Sequence, residues 1–320
     1  MKFDLRKQFT LINLPSKGVY YENEKKSLYV RYLTATEEMI LCDGMLNDSG
    51  LAIQLVLNNI IIDDDIRAED LIISDLQAIL IFLRSTAFGD DVELSFNCSH
   101  CGQESSQSIK LSRLDWKNQE YIPGSDGMFT VELPISNKVL KIKPVFFKDV
   151  LQEKEEVEDD FIIIKDLDGD IKIKKESTSK LLDSIHEYDG ITNRDMIKHN
   201  LNNTSRKDIT LLKDFLSKNE NGVIEEYNFS CEYCHESSVS KIGFGYNFLS
   251  LPVSYKENVL EELFLITYYS KGVNMEDAYT MPTFHRRWHL NRIKEELDKK
   301  NKSEREASNR ARSQSRSSRL

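Results

Sequence analysis

Four of the five cysteines fall into two Cys-x-x-Cys pairs, Cys98 with Cys101 and Cys231 with Cys234. Each pair lies in nearly the same phrase, "FNCSHCGQESS" from Phe96 and "FSCEYCHESS" from Phe229. Such a turn brings two thiolates to one side of a tight backbone bend, and a structural zinc ion takes four of them in a tetrahedron at about 2.3 Å. Two pairs in matching settings supply that number, so the spacing predicts one shared structural Zn2+ held by Cys98, Cys101, Cys231 and Cys234. The long insertion between the pairs is no objection, because loop-closure entropy rises only logarithmically with length. Four thiolates leave no open position for water or substrate, so the site would support structure and provide no catalysis by itself.

Other readings start from the same residues. Each pair could bind its own metal with His100 or His235 drawn in, but a shared site needs no ligand from elsewhere. A thioredoxin-like redox pair opens a helix after a strand, whereas both pairs here sit between strand-like segments. A zinc hydrolase needs an open coordination position and a base. His285 and His289 in "HRRWH" have metalloprotease spacing, but Arg286 stands where the general-base glutamate belongs. "DLDGD" from Asp166 lacks the glycine position and closing glutamate of a calcium loop. There is no phosphate-binding loop, dinucleotide fingerprint or nucleophile elbow. No residue is nominated as catalytic and no small-molecule substrate is expected. Cys42, on an expected helix, reads as a buried small hydrophobe.

The elements that must position the cysteines also occur twice. Shifted by 133 residues, Asp75 to Ile109 lies over Asp208 to Ile242 without a gap, matching Gly89 with Gly222, Phe96 with Phe229 and Ser105 with Ser238. This is an internal duplication. In the first copy Leu76, Ile79, Leu80 and Leu83 form a helical stripe, with Ser74 and Gln77 spaced as a capping box and Gly89 as the stop; Val92, Leu94 and Phe96 alternate as a strand. In the second, Ile209, Leu212, Phe215 and Leu216 make the stripe, Gly222 stops it, and a strand runs through Tyr227 and Phe229. Upstream, "LPSKG" at Leu14 precedes "LYVRYL" and "LPISN" at Leu133 precedes "VLKIKPV", so each half opens with a strand pair. Thr34 and Glu37 have capping-box spacing ahead of a helix through Met39, Ile40 and Leu46. Asp168-Gly169 predicts a hairpin within "FIIIKDLDGDIKIKK", and the acidic run "EKEEVEDD" before it reads as a solvated surface or loop.

After the second pair the chain becomes helical. Ser254 and Glu257 could cap a helix bearing Val259, Leu260, Leu263 and Ile266 that Gly272 ends; Asn274 starts another turn, and Pro282 suits the first position of a last helix with Phe284, Trp288 and Ile293 beside Arg286, Arg287 and Arg292. Core packing explains the aromatics about as well as a partner does, and the Trp and Arg content tips the reading slightly towards a docking element. The expected class is α+β: two duplicated helix-strand-knuckle-strand halves sharing one zinc-ribbon-like site, at 1–111 and 112–248, a helical docking region at 249–300, and a disordered basic Ser/Arg tail at 301–320.

A chain of 320 residues with 40% hydrophobic and 30% charged composition can bury a real core. Its first residues carry no apolar leader, and the longest apolar run, Leu71 to Leu83, is interrupted by Ser74 and Asp75; neither secretion nor membrane spanning is indicated. With this cysteine pattern the expectation is a cytosolic, reducing compartment. A net charge of −10 argues against nucleic acid as the main partner, the basic tail being the local exception. A zinc-ribbon nucleic-acid binder is therefore the alternative reading.

"LPSKGVYY", "LTATEEMIL", "SDLQAILIFLRSTAFG", "FNCSHCG" and "YYSKGVNMEDAYTMPTFHRRWHLNRIKEE" together resemble the baseplate hub and hub-assembly proteins of T-even-type contractile-tailed bacteriophages. Arg84 and Gly89 stand where that family's helix ends, and Met281, Arg286 and Arg287 where its closing helix begins. The resemblance implies a non-enzymatic structural or chaperone protein needed to build the central hub. It would act in the infected host's cytoplasm or be retained in the virion, with other hub proteins and the tail tape-measure protein as partners.

Overall fold

The computed structural model describes residues 8–21, 24–117, 123–124, 127–155, 161–166, 169–174, 179–219 and 222–317. The fold combines small antiparallel sheets with separate helices. The first half opens with the hairpin β1 (Phe9–Asn13) and β2 (Ser27–Arg31), followed by α1 (Ala35–Leu41), α2 (Gly44–Ser49), α3 (Leu51–Ile60) and α4 (Ile73–Phe88). Its second hairpin, β3 (Asp91–Asn97) and β4 (Glu104–Lys110), carries the first knuckle. In the second half a short β5 (Trp116–Lys117) precedes the hairpin β6 (Phe129–Glu132) and β7 (Val139–Ile142), then α5 (Phe147–Glu155), the paired strands β8 (Phe161–Asp166) and β9 (Gly169–Lys174), and α6 (Ser179–Ser184). Next come β10 (Ile185–Tyr188), which joins β7, α7 (Arg194–Asn202) and α8 (Arg206–Asn219). β11 (Gly222–Val223) pairs with β5, and the second knuckle hairpin is β12 (Glu226–Ser230) with β13 (Ser237–Lys241). The chain ends in α9 (Tyr255–Tyr269), α10 (Met275–Thr280) and α11 (Thr283–Ser317).

The order of hairpin, helices and knuckle hairpin recurs in part in the second half, where β8, β9, β10 and β11 are added to it, and one contact shows a local equivalence in detail. Asp75, near the start of α4, accepts the Ser16 amide at 2.9 Å, its hydroxyl at 2.6 Å and the Tyr21 hydroxyl at 2.6 Å. Asp208, offset by the same 133 residues on α8, accepts the amides of Ile135 and Ser136 at 3.0 and 3.1 Å. Each buried carboxylate therefore satisfies the turn after a Leu-Pro pair, the positions of "LPSKG" and "LPISN". The buried Ser16 amide needs such a partner, and in both copies the aspartate ties the turn of the opening hairpin to its helix.

The apolar stripes fill separate cores. Leu28, Val30, Leu41, Ile53, Leu57, Leu76, Ile79, Leu80 and Leu83 pack in the first half, with Phe147 reaching in from the second. Val131, Leu140, Ile142, Ile185, Ile197 and Leu212 pack in the second. A third cluster lies under the knuckles and draws on both halves: Phe96 and Leu111 with Leu114, Val223, Phe229, Ile242 and Phe244. A fourth joins Ala35 of α1 to Val259, Leu263 and Ile266 of α9 and Ala278 of α10.

Several expected details hold and others change. Thr34 and Glu37 form the capping box, and Asn274 caps α10 by accepting the Asp277 amide at 2.8 Å. The helix expected to reach Leu46 breaks, because Asp43 accepts the Leu46 amide and caps a new one. Ser74 and Gln77 do not cap α4, whose N-cap is Ile72; Gln77 instead reaches the second half, accepting the Val223 amide at 3.2 Å and donating to Glu225 at 3.1 Å. Gly89 ends α4 with φ of 100°, but α8 ends at Asn219 and Gly222 pairs with Lys117. Ser254 sits at the N-cap of α9 without a side-chain bond. β8 and β9 form the expected hairpin, while Asp168 and residues 156–160 of the acidic run lie outside the described residues.

The largest difference is the tail. Instead of disorder from residue 301, α11 continues as one helix to Ser317, across the expected boundary at 300. The residues that lack an apolar period are still compatible with a helix, and Lys300 with Glu304 at 4.0 Å is an i,i+4 pair where the tail begins.

Candidate metal centre

Both Cys-x-x-Cys turns hang at the tips of two-stranded hairpins, and the two tips meet. In the first, the Cys98 amide donates to Gln103 O at 2.9 Å, the Gly102 amide to Cys98 O at 2.9 Å, and the His100 amide to the Cys98 sulfur at 3.4 Å. In the second, the Cys231 amide donates to Glu236 O at 3.0 Å, the His235 amide to Cys231 O at 3.0 Å, and the Tyr233 amide to the Cys231 sulfur at 3.4 Å. Every one of these pairs of positions is offset by 133. The turn requires a left-handed residue, filled by Gly102 (φ 70°) in one copy and His235 (φ 59°) in the other. That accounts for His235 as part of the turn, and neither His100 nor His235 joins the ligand cluster among the described residues.

The four sulfurs lie within 4.8 Å of one another. The short contacts cross between halves: Cys98 to Cys234 and Cys101 to Cys231, both 3.6 Å. Ligands at about 2.3 Å from a zinc ion stand about 3.8 Å apart in a regular tetrahedron, so the cluster has the dimensions of such a site. Its electrostatics agree. Ser238, with the amides of Cys101 and His100, draws the Cys98 thiol down to about 5, and the Cys234 amide draws Cys231 below its ordinary value. Cys234 goes the other way, up to about 12 despite the Glu236 amide, because burial and the neighbouring sulfurs oppose a further charge; Cys101 rises for the same reasons against the Gln103 amide. Four adjacent thiolates repel one another unless a cation sits among them, and a divalent metal is the group this donor set accommodates.

The sequence placed the four cysteines together but missed much of what surrounds them. Ser105 and Ser238 were visible as a matched pair, and both are buried beside the sulfurs. Phe96 and Phe229, also matched, stack directly on each other with centroids 4.8 Å apart. At the other end of the chain Arg286, read as a failed metalloprotease position, is fully buried and ion-paired with Glu38 of α1 and Glu262 of α9. Arg287 donates to Ala87 O at 2.8 Å and, with Arg84, flanks the Phe88 ring at 5.1 Å. These contacts dock α11 on the first half. Cys42 is buried at the end of α1, and burial pushes its thiol upward, as expected of a small core residue.

The geometry defines a class: a mixed scaffold of helices and small sheets in which two knuckle hairpins meet at a four-cysteine node that could hold a structural metal. Within that class the chain belongs to the T4 bacteriophage base plate protein family, whose model matches residues 8–245 and so takes in both halves and all four clustered cysteines. No significant match was found among curated proteins or among solved structures. Family membership makes the chain a phage tail baseplate protein with a structural role, and other baseplate or tail proteins its neighbours. No helix among the described residues is long and apolar enough to cross a membrane.

Proposed function

We propose that the chain is a non-enzymatic subunit or assembly chaperone of the central baseplate hub, braced by one structural Zn2+ on Cys98, Cys101, Cys231 and Cys234. The observation that carries this reading is the match to the baseplate family over both halves of a scaffold whose only ligand cluster among the described residues is four thiolates. Residues 1–111 and 112–248 act as the braced halves and 249–300 as the docking region. Other hub proteins and the tape-measure protein are its partners, met in the host cytoplasm during assembly. A nucleic-acid role is opposed by Glu232 and Glu236, both exposed on the second knuckle, where they would repel phosphate.

Isolation of the tagged chain from infected cells tests the reading. Hub and tape-measure proteins are expected to accompany it, and phage lacking it should accumulate tail parts that do not assemble. Recovery of the chain alone, with normal tails formed in its absence, would refute the hub assignment.

A further inference from the structure

The two knuckles are held by more than their sulfurs. Ser105 on β4 and Ser238 on β13 are each 3% exposed and lie opposite Phe96 and Phe229 in their own hairpins. Their hydroxyls do not serve their own knuckle. The Ser238 hydroxyl accepts the Ser99 amide at 3.3 Å, meets the Ser99 hydroxyl at 3.1 Å and lies 3.5 Å from the Cys98 sulfur, all in the first half. The Ser105 hydroxyl accepts the Glu232 amide at 3.1 Å, in the second half. Ser99 and Glu232 each follow the first cysteine of a pair and are themselves offset by 133. Each half thus secures the turn that aims the other half's leading cysteine. The stacked Phe96 and Phe229 rings sit where the two hairpins meet, so the exchange takes place against an ordered apolar floor.

We infer that Ser238 and Ser105 are reciprocal positioning residues of the metal centre, each reaching across the joint to hold the opposite knuckle in ligating geometry, with Ser238 in addition hydrogen-bonding the Cys98 sulfur. The inference rests on the metal reading above. It follows that the two serines are unequal. Loss of Ser105 loosens a turn, whereas loss of Ser238 loosens a turn and removes a hydrogen bond to a ligand. Partners of metal ligands typically change affinity by about 10–100-fold when removed.

The test uses the full chain loaded with one equivalent of Zn2+ or Co2+, with transfer of zinc to a chromophoric chelator followed in time. S238A is expected to release zinc about tenfold faster or more than wild type and to shift the cobalt-thiolate charge-transfer band. S105A should show a smaller acceleration with the cobalt band in place, and S238T, which keeps the hydroxyl, should move back towards wild type. If S238A does not fold, S105A decides alone: release at the wild-type rate overturns the inference. Equal behaviour of wild type, S105A and S238A, or a larger effect in S105A, overturns it while leaving the metal assignment standing. A wild-type chain that takes up neither metal overturns the metal assignment and this inference with it.

Discussion

Replacing Arg286 with Met should expose how the C-terminal helix is anchored. Arg286 has 0% side-chain exposure; its Nε lies 2.8 Å from Glu262 and a terminal nitrogen contacts Glu38, which is also at 0%. Glu262, at 22%, can turn to water when the guanidinium is removed, but Glu38 cannot. Burial already pushes the Glu38 carboxyl above its ordinary 4.5 with Arg286 beside it, and without Arg286 it rises further. Leaving a buried charge without its partner costs about 3–5 kcal/mol. Protonation sets a ceiling on that cost: neutralising a carboxyl of ordinary value 4.5 takes about 1.4 kcal/mol per pH unit, hence about 4 kcal/mol at about pH 7.5 and about 1.4 at about pH 5.5. The sign follows. A carboxyl whose folded value is raised loses stability as pH climbs from 4.5 through that raised value, so R286M should be weakest at neutral to alkaline pH and nearly recover in mild acid. Urea unfolding of both chains at the two pH values measures the gap, and E38Q combined with R286M should close most of it at about pH 7.5. A gap below about 1 kcal/mol at both values, or one independent of pH, would refute the account of Glu38 as a charge that depends on Arg286.

Elemental analysis should find one zinc per chain, with C98S and C231S each losing it and melting at lower temperature, since metal binding to a folded site is itself folding free energy. The equivalent aspartates should show opposite pH signatures. Burial raises Asp75 more than Ser16 and Tyr21 lower it, whereas on Asp208 the Ile135 and Ser136 amides outweigh burial, so D208N should flatten the stability loss below about pH 3.8 and D75N should steepen the acid-side loss in urea midpoints. Truncation after Asp298 should leave stability within about 0.5 kcal/mol of the full chain, because residues 299–310 are exposed throughout; a larger drop in the unfolding midpoint would mean that the arm packs on the body.

Much of the four-cysteine cluster was legible because the repeated phrase converts weak local signals into paired ones. A single Cys-x-x-Cys says little, but the offset of 133 tied Cys98 to Cys231, Phe96 to Phe229 and Ser105 to Ser238, and all three pairs meet at the joint. Thr34 with Glu37 was legible because a capping box is complete within four residues. Ser74 with Gln77 had the same spacing and failed, because Gln77 found a better partner in the Val223 amide, 146 residues away. Arg286 left no local trace either: its partner Glu38 is 248 residues distant, and a charged residue on an amphipathic helix reads as solvent-facing until a second charge is brought to it. The helix that runs through Ser317 was not legible because low hydropathy excludes a packed face without excluding a helix.

The reciprocal joint also bears on why the two copies remain in one chain. Two separate copies could form the same crossed contacts as a dimer, but linking them makes the second association intramolecular and independent of concentration. A symmetric dimer would also present each surface twice. Here the first half receives α9, α10 and α11 through Ala35, Glu38 and Arg286, while the second carries the β8–β9 hairpin and the sheet of β6, β7 and β10. The centre stays nearly two-fold where the cysteines, serines and phenylalanines exchange contacts, and the symmetry is lost outward from it. A node flanked by two unlike faces suits the proposed hub subunit if it is to join two different neighbours.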